Sequence, residues 1–99
     1  MIEISELIGK YGYEWMEFMK RCHPELTEQL QKSGTFEEIA KSVDNEAWEY
    51  RELLDSQYAK AHPRPTEEYE KIAAWETTRA FYTDSEVMQE RVLVPRTAA

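Results

Sequence analysis

From residue 36 to residue 61 the apolar side chains Phe36, Ile39, Val43, Ala47, Tyr50, Leu54, Tyr58 and Ala61 follow one another at steps of three and four. The rhythm repeats every eleven residues, which suits a nearly straight helix, so the spacing predicts one long helix over this stretch. Thr35 and Glu38 read as a capping box at its start. Asp44 and Asn45 are weak helix formers and mark a point where it could bend. His62-Pro63-Arg64-Pro65 ends it, because two prolines around a single residue remove backbone donors and cannot continue a helix.

A helix of that length must bury its stripe against something, and the rest of the chain offers more helices. Ile4, Leu7, Ile8, Tyr11, Trp15, Phe18, Met19 and Cys22 share one helical face. Gly9 and Gly12 interrupt it, and two readings stand: one helix over 4–22, or a short helix ending near Tyr11 and a second from Tyr13. The second is favoured, with Gly12 as a left-handed C-terminal residue. Cys22 reads as a small core residue. His23-Pro24 opens a short helix over 25–32, with Leu26 and Leu30 one turn apart and Gly34 as its stop.

Thr66 reads as the cap of the last helix, which carries a thin stripe of Tyr69, Ile72, Ala73, Ala80 and Val87, with Trp75 and Tyr82 on a neighbouring face. Thr83-Asp84-Ser85 is expected to interrupt it and recap a short helix over 85–93. No strand pattern exceeds the three residues Val92-Leu93-Val94. Three glycines and four prolines are too few for a turn-rich β protein. The expectation is an all-α fold: a small helical bundle with one long central helix, one medium C-terminal helix and short N-terminal helices. Ninety-nine residues support one core, so residues 1–99 are read as a single domain whose last few residues form a flexible tail. A homodimer would bury more of the 12% aromatic content.

Charge narrows the functional classes. Twelve bases against twenty acids leave −8, which disfavours nucleic acid as a direct ligand. One cysteine excludes an internal disulfide and suggests a cytoplasmic address. The acidic start is unlike a signal peptide, and no apolar run approaches the ~18 residues of a membrane span. Cys22, His23 and His62 have no metal-ligand spacing, so no metal or cofactor is expected. No nucleophile elbow, phosphate-binding glycine loop or triad spacing is present, and the chain is read as non-enzymatic.

What remains is the outward side of the long helix. Glu37, Glu38, Asp44, Glu46, Glu49, Glu52 and Asp55 outnumber Lys41 and Arg51 there. Spaced carboxylates on a rigid helix are commonly no more than a solvated face, yet they can also enter a basic groove on another protein. Trp48 lies off the apolar stripe among these acids. It either folds against Tyr11 or Trp75 inside the bundle or anchors a partner. The candidate partner-binding set is Trp48, Glu49, Glu52, Asp55 and Glu46.

The run Trp15-Met16, Met19-Lys20 and His23-Pro24, then Leu26, Leu30, Ser33-Gly34, Ile39, Val43-Asp44 and Ala47, resembles the TnpV-type proteins over residues 15–54. In them a Trp leads a Lys-bearing helix, and a Ser-Gly closes a Leu-containing helix shortly before an Ile/Val-Asp and an Ala. These are small proteins encoded by bacterial transposons and related integrative elements, so the resemblance implies a mobile-element context. Together the residues and the resemblance predict a non-enzymatic accessory protein of a bacterial mobile element, acting through protein–protein contacts. The alternative is an acidic DNA mimic that inhibits a nucleic-acid-binding host defence protein, as anti-CRISPR proteins do. A third reading is an excisionase-like DNA-binding factor, which the charge disfavours.

Overall fold

The structure, a computed structural model, describes residues 8–96. Helix α1 spans Lys10–Cys22, α2 spans Pro24–Ser33, α3 spans Phe36–Ala61 and α4 spans Tyr69–Val87; a π-helical turn, Met88–Val92, continues α4. No strand occurs among the described residues. The fold is all-α, with the long helix at its centre.

The core forms where α1 crosses the first half of α3. Tyr11, Trp15 and Met19 of α1 are completely buried, as are Ala40, Val43 and Ala47 of α3. Phe36 lies against Trp15 with ring centroids 5.2 Å apart. Val87 and Val92 close this core from the C-terminal side, and the Trp15 indole N–H donates to the Val94 carbonyl at 3.1 Å. The Leu26–Leu30 side of α2 covers the remaining edge.

Helices α1 and α3 approach closely because glycine stands where they meet. A Cβ at Gly12 would collide with the Ile8 side chain and lie 2.8 Å from the Ala40 carbonyl oxygen. One at Gly9 would lie 2.8 Å from the Asp44 carboxylate. The space they leave admits Asp44, which accepts the Gly12 amide proton at 3.0 Å. Gly9 is the N-cap of α1 and has no side chain to cap with, so a carboxylate from a different helix satisfies one of the free first-turn amides. It also sits at the positive end of the α1 dipole.

This corrects the favoured reading of the first segment. Gly12 does not end a helix; it lies inside α1, and the stretch from Lys10 to Cys22 is continuous. Ile4 and Leu7 lie outside the described residues. Helix α3 runs uninterrupted through Asp44 and Asn45, and Asp44 faces inward to cap α1. Cys22 is exposed rather than a core residue. Pro24 takes the first position of α2, and Gly34 stops it with φ of 77°, both as the sequence predicts.

Three capping expectations differ from what is found. Thr35 occupies the N-cap of α3, but its hydroxyl pairs with the Ser33 hydroxyl at 2.7 Å, and no side-chain cap forms. Helix α4 starts at Tyr69 with Glu68 as N-cap, two residues beyond the start implied by Thr66. Thr83-Asp84-Ser85 does not break α4, since the buried Thr83 hydroxyl bonds back to the Ala80 carbonyl at 3.3 Å and Asp84 is engaged elsewhere. The expected tail falls largely on residues 97–99, outside those described.

Beyond the core, the second half of α3 and the first half of α4 project as an antiparallel hairpin. The radius of gyration is 16.6 Å and the extents are 55 × 31 × 21 Å, whereas a compact chain of this length measures about 13 Å. The hairpin is held by rings rather than by aliphatic packing. Tyr58 lies 5.7 Å from Trp75 and 5.8 Å from Tyr82, and the Trp75 indole donates to the His62 carbonyl at 2.7 Å.

Two outcomes test this description. Gly12→Ala gains about 1 kcal/mol of helix propensity, but it is expected to lose roughly 1–3 kcal/mol net through overpacking at the crossing. A denaturation midpoint that stays level or rises would show that the helices do not meet there. Thr35→Ala is expected to cost well under the ~1 kcal/mol of a true side-chain cap; a full loss of that size in the same titration would mean the hydroxyl caps α3 after all.

Candidate protein-binding surface

Where α1, α3 and α4 converge, the crossing at Asp44 carries the buried Tyr11 ring to a partly exposed polar junction. The Tyr11 hydroxyl donates to the Asp84 carboxylate at 2.8 Å and accepts from the Arg51 guanidinium at 2.9 Å. Lys10 reaches the same Asp84 oxygen at 2.9 Å. Burial pushes the Tyr11 hydroxyl up to about 12, the hydrogen bond to Asp84 acts in the same direction, and the Arg51 charge opposes both. Burial alone would raise Asp84. The hydrogen bonds from Lys10 and Tyr11 and the charges of Lys10 and Arg51 outweigh it, holding the carboxyl below the usual aspartate range.

Trp48 rests on the outside of this junction. Its ring meets Tyr11 edge-on at 4.9 Å, and the Arg51 guanidinium lies 5.3 Å from the ring centroid. Even so, 41% of its surface is exposed. The tryptophan is thus both packed on Tyr11 and open to solvent. A large side chain held on two sides and free on the third loses little conformational freedom if something binds it.

The acids of the candidate set divide. Glu49 and Glu52 are exposed. Glu46 is exposed too, but it pairs with Arg96. Asp55 turns toward α4, between Arg51 at 4.0 Å and Arg79 at 3.8 Å. Asp55 Oδ1 and Arg79 Nε are buried there without a hydrogen bond. Of the seven acids read along α3, Asp44, Glu46 and Asp55 are therefore matched within the chain. Around Glu46 and Glu49 lies an open groove of about 440 Å³ that also contains Arg91 and Arg96, with Arg91 stacked 4.3 Å over Tyr50. The carboxylates do not form an unbroken row.

Sequence reasoning overlooked a second surface. Phe81 is 76% exposed and Leu53 52%, both on the projecting hairpin. Phe81 belongs to no stripe because α4 distributes its apolar residues around its circumference. That scatter was the available signal that α4 is not buried along one side. Among the described residues no group of three or more His, Cys, Asp or Glu side chains could hold a metal ion, and no helix is long and apolar enough to cross a membrane.

The junction has a pH signature. A tyrosine in an unfolded chain releases its proton near 10, while the folded chain keeps Tyr11 protonated to about 12. The stability that Tyr11 contributes is then complete below pH 10 and lost as pH rises through 12. Wild type is expected to weaken more steeply than Tyr11→Phe across this window in denaturant titrations. Parallel curves would place the hydroxyl outside the junction.

A family model described as transposon-encoded protein TnpV matches residues 2–93 of the 99-residue chain. No curated protein and no solved structure matches it. The match extends past residues 15–54 in both directions, taking in the Asp44 crossing, the hairpin and the π-helical turn. The chain belongs to the TnpV family of transposon-encoded proteins.

Proposed function

We propose that this chain is a non-enzymatic accessory protein of a bacterial transposon and that it works by binding another protein through the Trp48 face of α3. The observation that carries the reading is the state of Trp48: clamped by Tyr11 and Arg51, yet 41% exposed. Aromatic side chains of this kind dominate binding energy when a partner covers them. Glu49 and Glu52, exposed on the same helix, suit a partner groove that is basic and partly apolar, where they would govern on-rate and salt sensitivity. Glu46 and Asp55 stand at the edge of this set, because each already has an arginine partner within the chain.

The DNA-mimic reading is weaker. A mimic needs regularly spaced free carboxylates, and three of the seven on α3 are taken up internally. The excisionase-like reading requires clustered cations. Arg96 is paired with Glu46, Arg91 lies over Tyr50, and the net charge is −8.

The test is co-purification of the tagged chain from cells carrying the intact element. Glu49→Lys combined with Glu52→Lys is expected to leave the fold intact, weaken retention of the partner and flatten its dependence on salt. Trp48→Ala is expected to reduce retention by tenfold or more, a hot-spot loss of roughly 1.4 kcal/mol or above, with a much smaller effect on the denaturation midpoint. Retention unaffected by either change would place the contact elsewhere. Submicromolar binding of duplex DNA at about 150 mM salt would instead favour the DNA-binding reading.

A further inference from the structure

We propose that the projecting α3–α4 hairpin is a homodimer interface in which Phe81 of each copy enters the groove of the other. On one flank of the hairpin, Leu54, Gln57, Tyr58 and Ala61 of α3, with His62 just past its end, face Thr78 and Tyr82 of α4 across an open groove of about 400 Å³. No Asp, Glu, Lys or Arg side chain lines it. Phe81, one turn beyond the groove residue Thr78 and next to Tyr82 in sequence, has 76% of its surface in water. A protruding ring and an uncharged groove on the same face make a surface that fits itself under a twofold axis, with each element supplied twice. Two helical hairpins packed in this way form a four-helix bundle, the usual means by which antiparallel helix pairs cover their apolar sides.

The distribution of charge suits a second copy as the occupant. Residues 53–82 hold four bases (Lys60, Arg64, Lys71, Arg79) and five acids (Asp55, Glu67, Glu68, Glu70, Glu76), a net −1 in a chain of −8. Among the other described residues, 8–52 hold six bases and ten acids, a net −4, so the hairpin is much closer to neutral than the body formed by the first three helices. Two identical acidic molecules can meet at this end with less repulsion than they would meet body to body. The elongated shape agrees, since the hairpin stands clear of the core with apolar rings uncovered. The Trp48 face remains on the body of each copy, so the dimer does not depend on the partner proposed above.

Sedimentation velocity on the full chain from about 1 to about 100 μM, the range of moderate self-association, decides the matter. Wild type is expected to pass from monomer to dimer within that range. Phe81→Glu is expected to weaken association by about thirtyfold or more, as loss of a central aromatic does, with an unchanged helical circular-dichroism spectrum because the side chain is exposed. Gln57→Arg, which places a charge in the groove, is expected to act likewise, and Glu25→Gln on α2 to have no effect. A wild type that stays monomeric at the upper concentration would overturn the proposal, as would a dimer that survives both hairpin substitutions. A monomeric wild type that retains another protein of the element through Phe81 would also overturn it, assigning the face to that protein.

Discussion

The first turn of α1 has no side chain of its own to satisfy its amides, and Asp44 of α3 does so from across the helix crossing. The arrangement works only because Gly9 and Gly12 leave the carboxylate room. A buried acid without such a partner would be costly; here its charge meets an amide and the positive end of a helix dipole. Once the crossing is fixed, Tyr11 can point to Arg51 and Asp84, and α4 is drawn onto the other two helices. The orientation of Trp48 follows from that, since it rests on Tyr11 and Arg51. One carboxylate thus sets the geometry of three helices and of the exposed aromatic that they present.

The acidic composition takes on a different meaning once its members are placed. Asp44 caps a helix, Asp84 receives Lys10 and Tyr11, Glu46 meets Arg96, and Asp55 lies between Arg51 and Arg79. These acids organise the interior and the contacts between helices. The charge that stays unmatched is concentrated on the body and is sparse on the hairpin. Such asymmetry favours some directions of encounter over others, which a net charge alone does not convey.

Periodicity made much of the fold legible. The stripe on α3, Pro24 at the start of α2 and Gly34 at its end depend on local rules, and each is found where those rules put it. The errors arose where a distant residue overrode the local preference. Gly12 resembles a helix stop until Asp44 is known to sit against it. Asp44 resembles a flaw in α3 until it is seen to serve α1. Thr35 had a capping partner in Glu38 but turned to Ser33 instead. The ambiguity of Trp48 was apparent from its place off the stripe, and the residue is indeed packed on Tyr11 while still open to solvent. Phe81 and Leu53 escaped notice because nothing in the chain alone shows that half of a hairpin lacks a neighbour.

The π-helical turn at Met88–Val92 acts through chain length rather than chemistry. The Leu93 amide reaches back five residues to the Met88 carbonyl at 2.7 Å, so this turn holds one residue more than an α-turn would. That surplus residue sets the phase of everything after it, including Val92 in the core, the Val94 carbonyl that receives Trp15, and Arg96 beside Glu46. Deleting one residue here would restore regular α spacing and rotate the terminal segment by roughly 100°, one residue's share of a helical turn. None of those three could then reach its present neighbour. The segment should accordingly be more tolerant of substitution than of any change in the number of its residues.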